Sequence, residues 1–189
     1  NSALRQLARH KSVVAIGETG LDDNRKFSTP ASQDRAFEAQ LELAASLNMP
    51  VFMHERDAAK RQLEILASYR DALVDGVIHC FTGDKSTLFR YLDMDLHIGI
   101  TGWVCDERRG LELQKIINNI PLQRLMVETD APYLLPRNMQ PLPKDRRNEP
   151  AFLTFVLQGI SACRDESTEE IAEATSATAR TFFRLEDNN

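Results

Sequence analysis

Short apolar runs of strand length punctuate the chain at VVAIGE (13–18), PVFMHE (50–55), GVIHCF (76–81), LHIGITG (96–102) and LMVETD (125–130). Several are continuously apolar rather than alternating, as strands covered on both faces of a parallel sheet must be. Between them the apolar positions adopt helical spacing. Thr29-Pro30 reads as a helix start, Phe37, Leu41, Ala44 and Ala45 share one face, and Asn48 with Pro50 closes the segment. The stretches 57–68, 86–92 and 110–117 carry the same period, as does an opening segment with Leu4, Leu7 and Ala8. A Pro-rich, charged stretch, LLPRNMQPLPKDRRNEP (134–150), is too irregular for either element and precedes two further helical patterns at 151–163 and 168–183.

Strands alternating with helices indicate an α/β protein on a parallel sheet. An open nucleotide-binding sheet calls for a glycine-rich phosphate loop after its first strand, yet GETGLDD (17–23) offers two glycines and places carboxylates where phosphate would lie. A TIM (β/α)8 barrel instead gathers functional groups at the C-terminal ends of several strands, which is the pattern here. Such barrels have eight βα units and typically about 250 residues. Five strand-like runs in 189 residues therefore predict an incomplete barrel: a single domain over 1–189 forming the C-terminal portion, with three N-terminal βα units absent. The start on Asn1 rather than Met fits that arithmetic. Five strands leave unpaired edges, and the edge at VVAIGE predicts a homo-oligomer.

With 42% hydrophobic residues the chain can bury a substantial core. No apolar run approaches the ~18 residues of a membrane span, and the opening NSALRQLARHK lacks a secretory apolar segment, so no membrane association and a cytoplasmic location are expected. Cys80, Cys105 and Cys163 form no CxxC pair and leave one odd, which argues against a disulfide framework or a thiolate zinc site. A net charge of −5 excludes a generally basic nucleic-acid coat but leaves room for a local basic patch.

The candidate chemistry lies at strand ends. Glu18, His54, His79 and Asp130 stand at the end of four of the apolar runs or within two residues of it. Parallel strands present all their C-terminal ends on one side, so the four can share a pocket. Each also has a plainer reading: a hydrogen-bonded structural His, a Glu facing a helix N-terminus, an Asp in a turn before Ala131-Pro132. Together these readings require four unrelated reasons for one placement, whereas a site for one or two divalent cations explains them all. Mixed nitrogen and oxygen donors suit manganese, zinc, iron or, with more water, magnesium, and do not choose among them. A cation there brings bound water toward neutral pKa, with Asp130 as general base and Glu18 bridging if two ions bind.

The segments GETGLDDNR, FMHERDA, IHCFTG, GITGWVCDERRG and VETDAPYLLPR, in this order over about residues 13–183, resemble the TatD family of metal-dependent deoxyribonucleases. The resemblance implies a TIM barrel of the metal-dependent hydrolase type and 3′-5′ exodeoxyribonuclease activity with Mg2+ or Mn2+. It makes Glu18, His54 and His79 metal ligands, Asp130 both ligand and catalytic group, and places Arg56, Asn148 and Glu149 near the pocket. Three departures stand out. Asp23 occupies a position that is usually aromatic, Glu55 one that is usually neutral, and none of His10, His54, His79 and His97 forms the HxH pair with which the family opens. Without that pair metal affinity should fall.

For the substrate, Arg108, Arg109, Arg137, Lys144, Arg146 and Arg147 either hold a phosphate backbone or are merely solvated, and Trp103 either stacks on a base or belongs to the core. The expected partner is DNA, single-stranded or at 3′ ends. The alternatives are a metal-dependent hydrolase of a small amide, lactone or ester, for which Zn2+ would also serve, and an inactive remnant or assembly module.

Overall fold

The pattern of alternating runs is realised element by element in a computed structural model that describes residues 2–185. The order is α1 (Ser2–Leu7), β1 (Ile16–Asp22), α2 (Pro30–Leu47), β2 (Val51–Arg56), α3 (Ala59–Tyr69), β3 (Gly76–Ile78), α4 (Lys85–Asp93), β4 (His97–Ile100), α5 (Leu111–Ile116), β5 (Leu125–Val127), α6 (Leu153–Ser161) and α7 (Thr168–Phe183). The sheet has five strands in the order β1-β2-β3-β4-β5 and is not closed. This is the parallel βα repeat of a TIM barrel, present as an incomplete barrel. The chain divides into two compact units, Asn1–His79 with Phe89–Leu96 and Arg180–Asn189, and Cys80–Leu88 with His97–Ala179.

In the first unit β2 pairs in parallel with both neighbours, Val51 facing Ile16 on β1 and Gly76 on β3. Helix α2 begins as its sequence requires: Thr29 accepts the Ser32 amide on its hydroxyl, Pro30 occupies the first turn, and Asn48 closes the helix in the left-handed conformation. Its face of Phe37 and Leu41 is fully buried, as are Val51 and Met53 of β2, Leu66 of α3 and Val77 of β3. Burying each such side chain contributes about 1.5–3 kcal/mol. Helix α1 forms at the expected place but buries none of its residues.

Strand β1 departs from the sequence expectation. The apolar run was expected to end at Glu18, but the strand starts at Ile16 and continues to Asp22. Its partner decides this: Thr19, Gly20, Leu21 and Asp22 continue in register with Met53, His54, Glu55 and Arg56 after an irregularity between Ile16 and Thr19. Gly17 and Gly20 permit the path, with φ of 152° and 136° and with backbone of β2 where a Cβ would stand. Strands β3, β4 and β5 end earlier than expected, so that His79 and Asp130 fall in the segments that follow β3 and β5.

In the second unit β4 and β5 pair in parallel, Ile98 with Leu125 and Ile100 with Val127. Ile98, Ile100 and Leu125 are fully buried, as are Ile117, Val156 and Ile160. After β4 the chain makes a 3-10 turn, Gly102–Cys105, started by Thr101, whose hydroxyl accepts the Trp103 amide.

Candidate active site

Strand β1 supplies two carboxylates, Glu18 and Asp22, and β2 supplies the imidazole between them. His54 Nδ1 lies 3.1 Å from Glu18 Oε1, and His54 Nε2 lies 3.2 Å from Asp22 Oδ2. Glu18 is half exposed, with 52% of its side chain accessible, whereas Asp22 is mostly covered. The contact with Glu18 chiefly raises the pKa of His54 above the ordinary imidazole value against the opposing effect of burial, and Asp22 adds to it. Reciprocally, the His54 hydrogen bond holds the Glu18 carboxyl below its usual range, with a further contribution from the charge of His79. At Asp22 burial acts upward, but the Arg25 amide and the other donors prevail, and its pKa is lowered.

Asp22 is braced for this contact. Its Oδ1 accepts the amides of Asn24 and Arg25 at 2.9 and 2.8 Å. Its own backbone exchanges two hydrogen bonds with the Gln33 side chain, at 2.7 and 3.0 Å. Asp22 is a functional candidate that sequence reasoning missed. The signal was present: residues 18 and 22 fall on the same face of a strand, had the strand been carried past Glu18.

His79 is buried, donates its backbone amide to Met53 O at 2.7 Å and stacks at 4.9 Å on the Phe52 ring. Cys80, which follows His79 in the chain, and Asp130 each offer one ligand atom, and these two lie within 4.8 Å of each other in the second unit. Cys80 was set aside in the sequence because it lacks a CxxC partner. The Cys80 amide donates to Glu128 Oε1 at 2.5 Å, so the carboxylate of VETD that sequence reasoning passed over shapes the turn after β3. The Asp130 carbonyl accepts the Tyr133 amide at 2.7 Å.

The donor set suits a divalent cation. Glu18 Oε1 and His54 Nδ1, 3.1 Å apart, are of the donor types a cation takes, while Asp22 on the opposite nitrogen fixes ring orientation. Hard carboxylate oxygen and borderline imidazole nitrogen suit Mg2+, Mn2+ or Zn2+.

The remaining expected site residues are held in local contacts. Arg56 is in register with Asp22 at the end of β2. Glu55 accepts the Ala58 amide at 2.8 Å at the entrance of α3, and burial pushes its pKa up. Asp23 forms a two-pronged pair with Arg61 at 2.8 and 3.0 Å, and Arg61 also reaches Asp34 at 2.7 Å. Trp103 is partly buried, donates its indole N–H to Arg109 O at 3.2 Å, and carries the Arg109 guanidinium 4.5 Å from its ring centre. Asn148 is 2% exposed and donates to the carbonyls of Tyr133 and Leu134 at 2.7 and 3.3 Å, so its amide braces the loop after Asp130. Arg147 and Glu149 are exposed and paired at 3.4 Å. Arg137 reaches Asp106 at 3.1 Å.

Comparison with known proteins gives the family. The sequence profile of TatD related DNases matches residues 1–184. The chain is 53% identical to a protein of Klebsiella pneumoniae named 3′-5′ ssDNA/RNA exonuclease TatD, covering 98% of this chain and 71% of that protein. The protein of the same name from Escherichia coli K12 is 53% identical over 97% of this chain and 70% of its own length. Among solved structures, YJJV, a TatD homolog from E. coli K12, superposes with a TM-score of 0.85 at 28% identity, over 98% of this chain and 70% of that one. An amidohydrolase from Saccharomyces cerevisiae shares the fold at 21% identity and a TM-score of 0.83, over 96% and 68% of the two chains. No helix among the described residues is long and apolar enough to cross a membrane. On the strength of the profile match and of relatives this similar, the chain belongs to the TatD related DNase family.

Proposed function

We propose that the chain removes nucleotides from the 3′ end of single-stranded DNA or RNA by metal-assisted hydrolysis of the phosphodiester bond. The observation that carries this reading is the Glu18–His54–Asp22 array, a cation-ready pair of donors with its orienting carboxylate, in a chain so similar to enzymes named as exonucleases of this polarity.

In this reading Glu18, His54, His79 and Asp130 hold one or two divalent ions, Mg2+ or Mn2+. When bound, such an ion supplies Lewis acidity that brings water toward deprotonation near neutral pH and offsets charge on the phosphoryl oxygens. The chain's own groups do the rest. Asp22 keeps the His54 ring from turning, so the nitrogen facing Glu18 stays in place. Asp130 takes the proton of the attacking water. Asn148 fixes the loop that leaves Asp130, and Arg56, Trp103, Arg137, Arg147 and Glu149 border the path of the strand.

The test uses a single strand labelled at its 5′ end, with Mn2+ or Mg2+. The expected product is a ladder that shortens from the 3′ end and is abolished by a chelator. A strand left intact with both metals, or shortening from the 5′ end, refutes the proposal. Hydrolysis of a neutral ester or lactone in place of the strand would point instead to a small-substrate hydrolase.

A further inference from the structure

We propose that the cleft bordered by Arg109, Arg137 and Arg146 is a subsite for a non-scissile nucleotide, one set back from the end at which hydrolysis occurs; this rests on the nuclease reading above. The cleft lies within the second unit and encloses about 480 Å³, within the range of about 300–1,000 Å³ typical of small-ligand sites. Its walls combine the three arginines with Leu134, Leu135 and Leu142. Guanidinium groups are suited to a phosphate, and leucine surface to the apolar side of a sugar or base. A wholly polar anion would make no use of the leucines, and a wholly apolar ligand would leave the cations unanswered.

Two of the arginines are held in advance by one carboxylate. Asp106 is 2% exposed, accepts Arg109 Nε at 3.0 Å and forms an ion pair with Arg137, whose Nε lies 3.1 Å away. Each guanidinium carries five N–H donors, so engaging Nε on Asp106 leaves the terminal nitrogens for a second acceptor. Arg109 is further fixed on the Trp103 ring at 4.5 Å, which lowers the entropy lost when a phosphate is bound. Glu107 also borders the cleft and lies 3.6 Å from Arg137, so Asp106 and Glu107 offset much of the charge of Arg109 and Arg137. Arg146 then decides the sign of the site. Its guanidinium makes no hydrogen bond or ion pair among the described residues. It lies in a segment, 134–150, where Arg137, Lys144, Arg146 and Arg147 outnumber Asp145 and Glu149, although the chain as a whole carries −5.

Covalent connection sets how far the subsite stands from the proposed general base. Leu134 follows Asp130 by four residues and Arg137 by seven. A fully extended segment of that length spans at most about 25 Å. The loop is also braced, through the Asn148 amide on the Tyr133 and Leu134 carbonyls. A strand whose 3′ end is processed at Asp130 therefore passes the cleft within a few nucleotides; in this proposal the subsite takes a nucleotide beyond the pair joined by the scissile bond, so a dinucleotide leaves it empty.

The experiment compares the whole chain with Arg146→Ala and Arg146→Lys. Binding of a fluorescent single strand is followed by anisotropy across a salt series, and hydrolysis of that strand and of a dinucleotide is measured with Mn2+. Arg146→Ala is expected to weaken strand binding about tenfold and to flatten the dependence of log affinity on log salt by about 0.7, the share of one phosphate. KM for the strand should rise with kcat unchanged, dinucleotide hydrolysis should not change, and Arg146→Lys should recover most of the binding. Wild-type affinity and salt slope in Arg146→Ala, equal losses on strand and dinucleotide, or no strand binding by the wild type would overturn the subsite. If the wild type binds the strand, Arg146→Ala weakens it and neither hydrolyses it, the nuclease reading fails and the subsite stands.

Discussion

Replacing Asp106 by Asn tests whether one buried carboxylate organises the basic loops of the second unit. In the wild type, Oδ1 accepts the amides of Arg108 and Arg109, each at 3.0 Å, while Oδ2 accepts Arg109 Nε at 3.0 Å and forms an ion pair with Arg137, whose Nε lies 3.1 Å away. Asparagine keeps one oxygen for the two amides but presents N–H donors to two guanidinium groups, so the charge-assisted bond to Arg109 and the ion pair with Arg137 are lost. A hydrogen bond to a charged group is worth about 1.5–3 kcal/mol. The arginines are 53% and 41% exposed and can rehydrate, and a pair such as that with Arg137 adds only about 0–1 kcal/mol, so the expected total is about 2–3 kcal/mol. Urea denaturation at neutral pH should show a lower midpoint with unchanged slope. The pH dependence gives an independent check. The Arg109 amide, foremost among several donors, holds the Asp106 carboxyl far below the ordinary carboxylate range despite burial. A folded pKa below the unfolded value means that the contribution is complete above the unfolded pKa of about 4, and shrinks as pH falls toward the lower folded value. The gap between wild type and Asp106→Asn should thus be constant from weakly acidic to neutral pH and close in strong acid. A difference under about 0.5 kcal/mol at neutral pH, within the usual spread for surface substitutions, or a gap that widens on acidification, refutes the reasoning.

Three further outcomes are expected. His54→Ala should abolish strand hydrolysis, and Asp22→Asn should lower it about 10–100-fold by freeing the imidazole, both with unchanged circular dichroism; full activity in Asp22→Asn would remove its positioning role. Arg61→Ala, which severs Asp23 and Asp34 at once, should cost about 1–2 kcal/mol in urea denaturation while leaving kcat near wild type. Gly20→Ala must place a Cβ against the His54 carbonyl at a φ of 136°, so a midpoint loss of more than about 1 kcal/mol is expected, and a wild-type midpoint would show that β1 does not need glycine there.

What could be read in the chain is what short-range physics determines. The helix from Pro30 to Leu47 was legible because its start, apolar face and left-handed Asn48 are all local signals. Glu18, His54, His79 and Asp130 could be nominated because parallel strands align their ends whatever their exact register. Asp22 was not, because the extent of β1 is set by pairing with β2, 32 residues from His54 in sequence, and GLDD by itself reads as a turn. The arginines were seen as phosphate-binding or solvated, and the sequence offered no means of choosing. The choice turns on Asp106, which looks like one more acid in VCDERRG. Only folding buries it to 2% exposure beneath Arg109 and Arg137, after which losing its charge leaves the donors gathered around it without their acceptor. A basic loop ordered by a buried acid differs physically from a solvated one, because its cations reach a phosphate with much of their side-chain entropy already lost. For this reason Asp106→Asn should weaken strand binding as well as stability, even though it removes a negative charge from the protein.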